Sequence, residues 1–282
     1  MLLTNIDPDL SLSKVLVSVT VKSAIFTFIK NFINMTILSI SFLITAILYS
    51  SIGFGGGSTY LALLIIWDVP YYIFPVIALV CNIIVVTGNS INYIKAGNHN
   101  LRLLIPFLIG SIPFAIFGGT LIINKEIFEI LLFLILSIAG VLLLINNKSY
   151  ENKNLIIKKI NLIISILIGS ILGLISGIVG IGGGIFLSPI LFLLKADKPK
   201  NIVTTASLFI LINSISGILG QLTKEIILKE ILLYWPLFSA VLVGGLIGNY
   251  LNLKIFSNRI LALLTSMLVI FVACRMAYKI FF

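Results

Sequence analysis

From residue 31 on, long apolar runs alternate with short polar ones. Runs free of Asp, Glu, Lys and Arg cover 31–67, 69–94, 103–124, 130–147, 160–194, 201–223, 231–253 and 260–274. A helix that crosses a bilayer needs roughly 20 apolar residues. Six of these eight runs fit one helix each, the last by extending through Arg275 and Lys279, whose long stems reach the headgroups. The runs 31–67 and 160–194 are too long. As straight helices they would cover about 50–55 Å at 1.5 Å per residue, against a hydrocarbon core of about 30 Å. Each holds three successive glycines, in "GFGGGSTYL" from Gly53 and in "GIGGGIFLS" from Gly180. Glycine is costly inside a helix. Each run is therefore expected to be a full helix, a break and a half-length helix. The pattern predicts an all-α polytopic membrane protein of 8–10 membrane segments.

The two oversized runs stand first and fifth, the mark of an internal duplication. Pro106 pairs with Pro236, and Gly118 with Gly248. The chain divides into an N-terminal polar and interfacial segment (1–30), a first repeat (31–146), a linker (147–159) and a second repeat (160–282). Lys14, Lys22 and Lys30 interrupt the N-terminal segment, which suits an interfacial helix better than a cleavable signal. The loop 95–102 and the linker are basic, so both are expected in the cytoplasm. Run length favours a hairpin at each glycine cluster, while the charge rule favours a single interrupted crossing. The hairpin scheme is preferred. It puts an odd number of segments in each half, which makes the halves inverted repeats.

Composition narrows the function. Hydrophobic residues make up 60% and charged residues 10%, against about 25% charged in soluble domains. Lipid is the expected solvent. The net charge of +10 reads as basic loops at an anionic membrane face, and nucleic acid is not an expected partner. Cys81 and Cys274 read as buried free thiols, and the single histidine, His99, argues against a metal centre. No cofactor is expected. The spans hold no carboxylate, His, Lys or Arg to act as a proton relay. They also hold no nucleophile paired with a base, so the chain is not expected to be an enzyme.

The glycines suggest a site. A helix N-terminus carries about half a positive charge and up to four free N–H groups. At mid-membrane it attracts an anion without a buried cation. The candidates are Gly55, Gly56, Gly57, Ser58 and Thr59 in the first half and Gly182, Gly183 and Gly184 in the second. The middle glycines, Gly56 and Gly183, are expected to present N–H groups to the ligand. A second polar layer follows on the next helices, with Asn82, Thr87 and Asn89 in one half and Thr204, Thr205, Asn213 and Ser214 in the other. Asn82, Asn213 and Ser214 join the binding set as hydrogen-bond donors. The same small and polar residues could instead serve close packing and interhelical bonding.

Gly53–Gly57 with Ser58, Gly180–Gly184 through Pro189, and "TTASLFILINSISG" (204–217) resemble the sulfite exporter TauE/SafE family. The resemblance covers nearly the whole chain after residue 35, although Ala62 stands where the second half has Pro189. It implies secondary transport of sulfite, sulfonates or related small organic anions across the cell membrane. An anion channel and a carrier of a small carboxylate are the alternatives, and a homo-oligomer is left open.

Overall fold

The computed structural model describes residues 33–145, 157–224 and 230–252, with isolated positions beyond. The N-terminal segment, most of the linker and most of the last apolar run lie outside the described residues. All regular structure among the described residues is helical. The helices are α1 (Ile33–Ile52), α2 (Gly57–Ile66), α3 (Phe74–Lys95), α4 (Leu101–Thr120), α5 (Lys125–Ile145), α6 (Leu162–Val179), α7 (Gly184–Leu193), α8 (Pro199–Gln221) and α9 (Trp235–Asn252). Short 3-10 turns, Tyr71–Ile73 and Ile231–Tyr234, lead into α3 and α9. Six described helices, including the turns before α3 and α9, are long and apolar enough to cross a membrane: α1, α3, α4, α6, α8 and α9.

Burial sorts them into an inner pair and an outer ring. The spans of α3 and α8 are 61% and 72% buried, while those of α1, α4, α6 and α9 are 28–44% buried. The outer helices carry exposed apolar stripes at helical spacing, such as Ile33, Ile37, Ile40 and Ile44 on α1. Lipid covers such a stripe. Close packing in the ring rests on small residues. Gly118 of α4 lies on the Leu174 carbonyl of α6, and Gly248 of α9 lies on the Ile47 carbonyl of α1. A side chain at either would collide with the neighbouring backbone, so glycine lets the helices approach. Gly118 and Gly248 do the same job at two different helix crossings. Cys81 is buried, but Cys274 is exposed, which corrects the expectation of two buried thiols.

Hydrogen bonds between connections define two ends. At one, the Lys158 N–H donates to the Lys195 carbonyl at 3.0 Å, and Asn100 donates to Asp197 at 2.6 Å. At the other, Tyr72 donates to Glu230 at 2.6 Å, and the Lys224 ammonium donates to the Leu121 carbonyl at 2.8 Å. Among the described residues, the first end gathers Lys95, Arg102, Lys158, Lys159, Lys195, Lys198 and Lys200 with Asp197; the second gathers Asp68, Glu126, Glu129 and Glu230 with Lys125 and Lys224. They are the basic and acidic ends.

The short helices turn back. Phe42 of α1 stacks on Tyr60 of α2 with ring centroids 4.7 Å apart. In a continuous helix these residues would stand about 27 Å apart. Trp67 and Val69, after α2, share a cavity with Asn34 and Leu38 at the start of α1. So α1 and α2 start and finish at the acidic end. The Lys158–Lys195 bond does the same for α6 and α7 at the basic end. The backbone also recurs: left-handed conformations occur at Gly53 and Gly180, Gly56 and Gly183, and Asp68 and Lys195, each pair 127 residues apart.

Candidate functional site

The tips of the two turns meet inside the protein. A Cβ placed on Gly57 would lie 2.8 Å from the Ile181 carbonyl and 2.7 Å from the Asn82 amide nitrogen. A Cβ on Gly182 would lie 2.8 Å from that same nitrogen and 3.2 Å from the Ser214 hydroxyl. Gly55 presses on the Asn82 amide oxygen. Asn82, from the inner helix α3, therefore fills the gap between the turns. Its amide donates to the Ile181 carbonyl at 3.1 Å and to the Gly180 carbonyl at 3.5 Å. Only residues without a side chain leave room for this arrangement.

Both short helices begin here without a cap. Gly56 (φ 86°) and Gly183 (φ 73°) occupy the N-cap positions in the left-handed region, and neither helix has a side-chain cap. By contrast Asn100 and Asn161 cap α4 and α6. Buried helix starts leave N–H groups that need partners. Each helix is 10 residues long, about 15 Å or half the hydrocarbon thickness. The dipoles of α2 and α7 thus bring partial positive charge to the interior.

Unpaired side-chain atoms cluster on the inner helices. The Asn82 oxygen, both polar atoms of Asn213 and the Ser214 hydroxyl are buried without a hydrogen-bond partner. So are the Asn89 amide nitrogen and the Thr205 hydroxyl. An unpaired buried polar group costs about 1–3 kcal/mol, and native proteins hold few of them. Six of the ten such atoms among the described residues lie on α3 and α8; the others are the hydroxyls of Tyr60, Ser111, Ser176 and Ser188.

The structure divides the candidates. Gly55, Gly57 and Gly182 meet around Asn82, and Ser214 stands beside Gly182, next to Asn213 in the chain. Gly56 does not face this point; a Cβ there would meet the rings of Tyr49 and Tyr60 at 3.2 Å. Gly183 faces Phe209, and Gly184 packs on Ile210 and Ala206. A side chain at any of these three would meet an aromatic ring or the α8 wall rather than Asn82. Ser58 and Thr59 are engaged with the Tyr49 hydroxyl, at 3.3 and 2.8 Å. Tyr49 escaped the sequence reading because an aromatic residue in an apolar run looks like core. Thr87 and Thr204 bond back to their own helices, as hydroxyls in helices commonly do.

The family model described as "Sulfite exporter TauE/SafE" matches residues 37–276. A curated protein of Sinorhizobium fredii named "Probable membrane transporter protein y4hK" is 26% identical over 234 residues, covering 82% of this chain and 93% of that protein. No solved structure matches the chain.

Proposed function

Because the chain belongs to the sulfite exporter TauE/SafE family, we propose that it is a secondary carrier of small anions of the sulfite and sulfonate type. One observation carries the proposal: two uncapped, buried helix starts converge on Asn82 beside unpaired donors of Asn213 and Ser214. The anion binds at the two helix starts, beside Asn82 on the side of Asn213 and Ser214. There the α2 and α7 dipoles and the amide and hydroxyl donors replace its hydration shell. The unpaired oxygens of Asn82 and Asn213 would accept from a proton carried by the anion or from an accompanying water.

The two halves, 31–146 and 160–282, are inverted repeats, each with one glycine-broken hairpin. Hairpins that enter from opposite ends and meet in the middle support this reading, and such an arrangement suits alternating access around a fixed site. The basic end, with the linker 147–159, faces the cytoplasm of a cell membrane. The potential then drives export of an anion. At 100 mV it supplies about 2.3 kcal/mol per charge, roughly fifty-fold for a monoanion.

The test is flux in liposomes under a potassium diffusion potential set with valinomycin. Sulfite flux should increase as the destination side is made more positive, and should persist without sodium and without a pH gradient. Flux that ignores the potential and requires either gradient would reject the uncoupled carrier.

A further inference from the structure

At the basic end a cavity of about 340 Å³ opens at the first turns of α4 and α6. It lies at the protein's edge, away from the central site. Arg102, Lys158 and Lys159 line it together with Asn100, and Leu103 and Pro106 form part of its apolar wall. Among the described residues no carboxylate lines it. The nearby Asp197 is occupied by Asn100, Asn201 and the Lys198 N–H. Two helices start there, so their dipoles add to the three side-chain charges. The α4 face that carries Arg102 and Pro106 continues inward through Ile109, Pro113 and Phe117, spaced as one helical stripe. Ile109 and Phe117 are 57% and 56% exposed. The site is thus cationic at the membrane surface and runs directly into an open apolar track.

We infer that this cavity binds the phosphate headgroup of an anionic phospholipid, whose acyl chain lies along the Ile109–Phe117 stripe. A free phosphate or the transported anion would use the cations but not the track. A zwitterionic lipid would use the track but gain little from three uncompensated cations. The inference does not depend on the transport reading, because its measurements are of binding.

The experiment uses the full chain, delipidated in detergent, with native mass spectrometry and thermal unfolding as readouts. The probes are dioleoyl phosphatidylglycerol, dioleoyl phosphatidylcholine, inorganic phosphate and sulfite. Phosphatidylglycerol should stay bound and raise the unfolding temperature. The other lipid and inorganic phosphate should not. R102Q/K159Q should weaken phosphatidylglycerol roughly 25-fold, at about five-fold per cation. K198Q/K200Q removes the same charge at the same end but outside the cavity lining, and should retain the lipid. Arg102 and Lys159 are exposed, so the first variant should fold. Equal retention by wild type and R102Q/K159Q would overturn the assignment. So would equal binding of the zwitterionic lipid, or equal loss in K198Q/K200Q. Phosphate protection that disappears in R102Q/K159Q would make the cavity a free-anion site instead.

Discussion

Replacing Gly57 with alanine tests whether the meeting of the turns is a binding site or only a packing point. The backbone of Gly57 lies outside the left-handed region, so Gly57→Ala carries no conformational strain of that kind. Its cost is steric. The new methyl would sit 2.7 Å from the Asn82 amide nitrogen and 2.8 Å from the Ile181 carbonyl. The carbonyl is backbone within a constrained turn, so the Asn82 side chain yields first and its 3.1 Å bond to Ile181 is lost. Overpacking costs about 1–3 kcal/mol, and a buried carbonyl left unpaired costs about 1–3 kcal/mol. Together these lower stability by about 2–6 kcal/mol; in protein that still folds, displacing the Asn82 amide from a charged ligand, at about 1.5–3 kcal/mol, corresponds to a flux loss of roughly 10- to 150-fold at limiting substrate. Two glycines serve as controls. A Cβ on Gly245 would have its nearest neighbours at 3.6 and 3.7 Å, so Gly245→Ala should be neutral. Gly97 has φ +71° and nothing within 4 Å, so Gly97→Ala should cost about 1–2 kcal/mol of stability and leave flux unchanged. The assay is sulfite flux in proteoliposomes, normalised to protein whose thermal unfolding in detergent shows that it is folded. Folded Gly57→Ala with flux within about two-fold of wild type would refute the site and leave the turns a packing device.

Asn213→Leu keeps the volume and removes two donors and one acceptor; at about 1.5–3 kcal/mol for a bond to a charged ligand, titrated sulfite affinity should fall roughly 10- to 150-fold with little loss of stability. Tyr49→Phe breaks the bonds to Ser58 and Thr59 and should lower stability by about 1–2 kcal/mol, measured by denaturant unfolding, while affinity changes less than in Asn213→Leu. In a background without Cys81 and Cys274, Asn98→Cys at the basic end should resist an impermeant thiol reagent added to intact cells, and Glu126→Cys at the acidic end should react; the opposite pattern would reverse the orientation.

The apolar runs by themselves determined that the chain is a helical membrane protein. Their length exceeds what any soluble core could cover, and that constraint needs no tertiary information. The same runs led to the expectation of helix interruptions, because three adjacent glycines in a run too long for one crossing leave a straight helix neither propensity nor room. The sequence could also nominate Asn82, Asn213 and Ser214, since polar groups in apolar runs are rare and costly. What it could not decide was direction. Whether α2 continues from α1 or returns beside it depends on the contact of Phe42 with Tyr60, residues 18 apart in the numbering. Nor could it separate Gly56 from Gly57. Both belong to one GGG triplet, yet a left-handed turn points one at Tyr49 and Tyr60 and the other at Asn82. The same limit hid Tyr49, whose hydroxyl finds Ser58 and Thr59 only once α2 has folded back. A side chain's direction is set by the backbone and by the helix across from it, and only the assembled fold brings the two glycine turns to one asparagine.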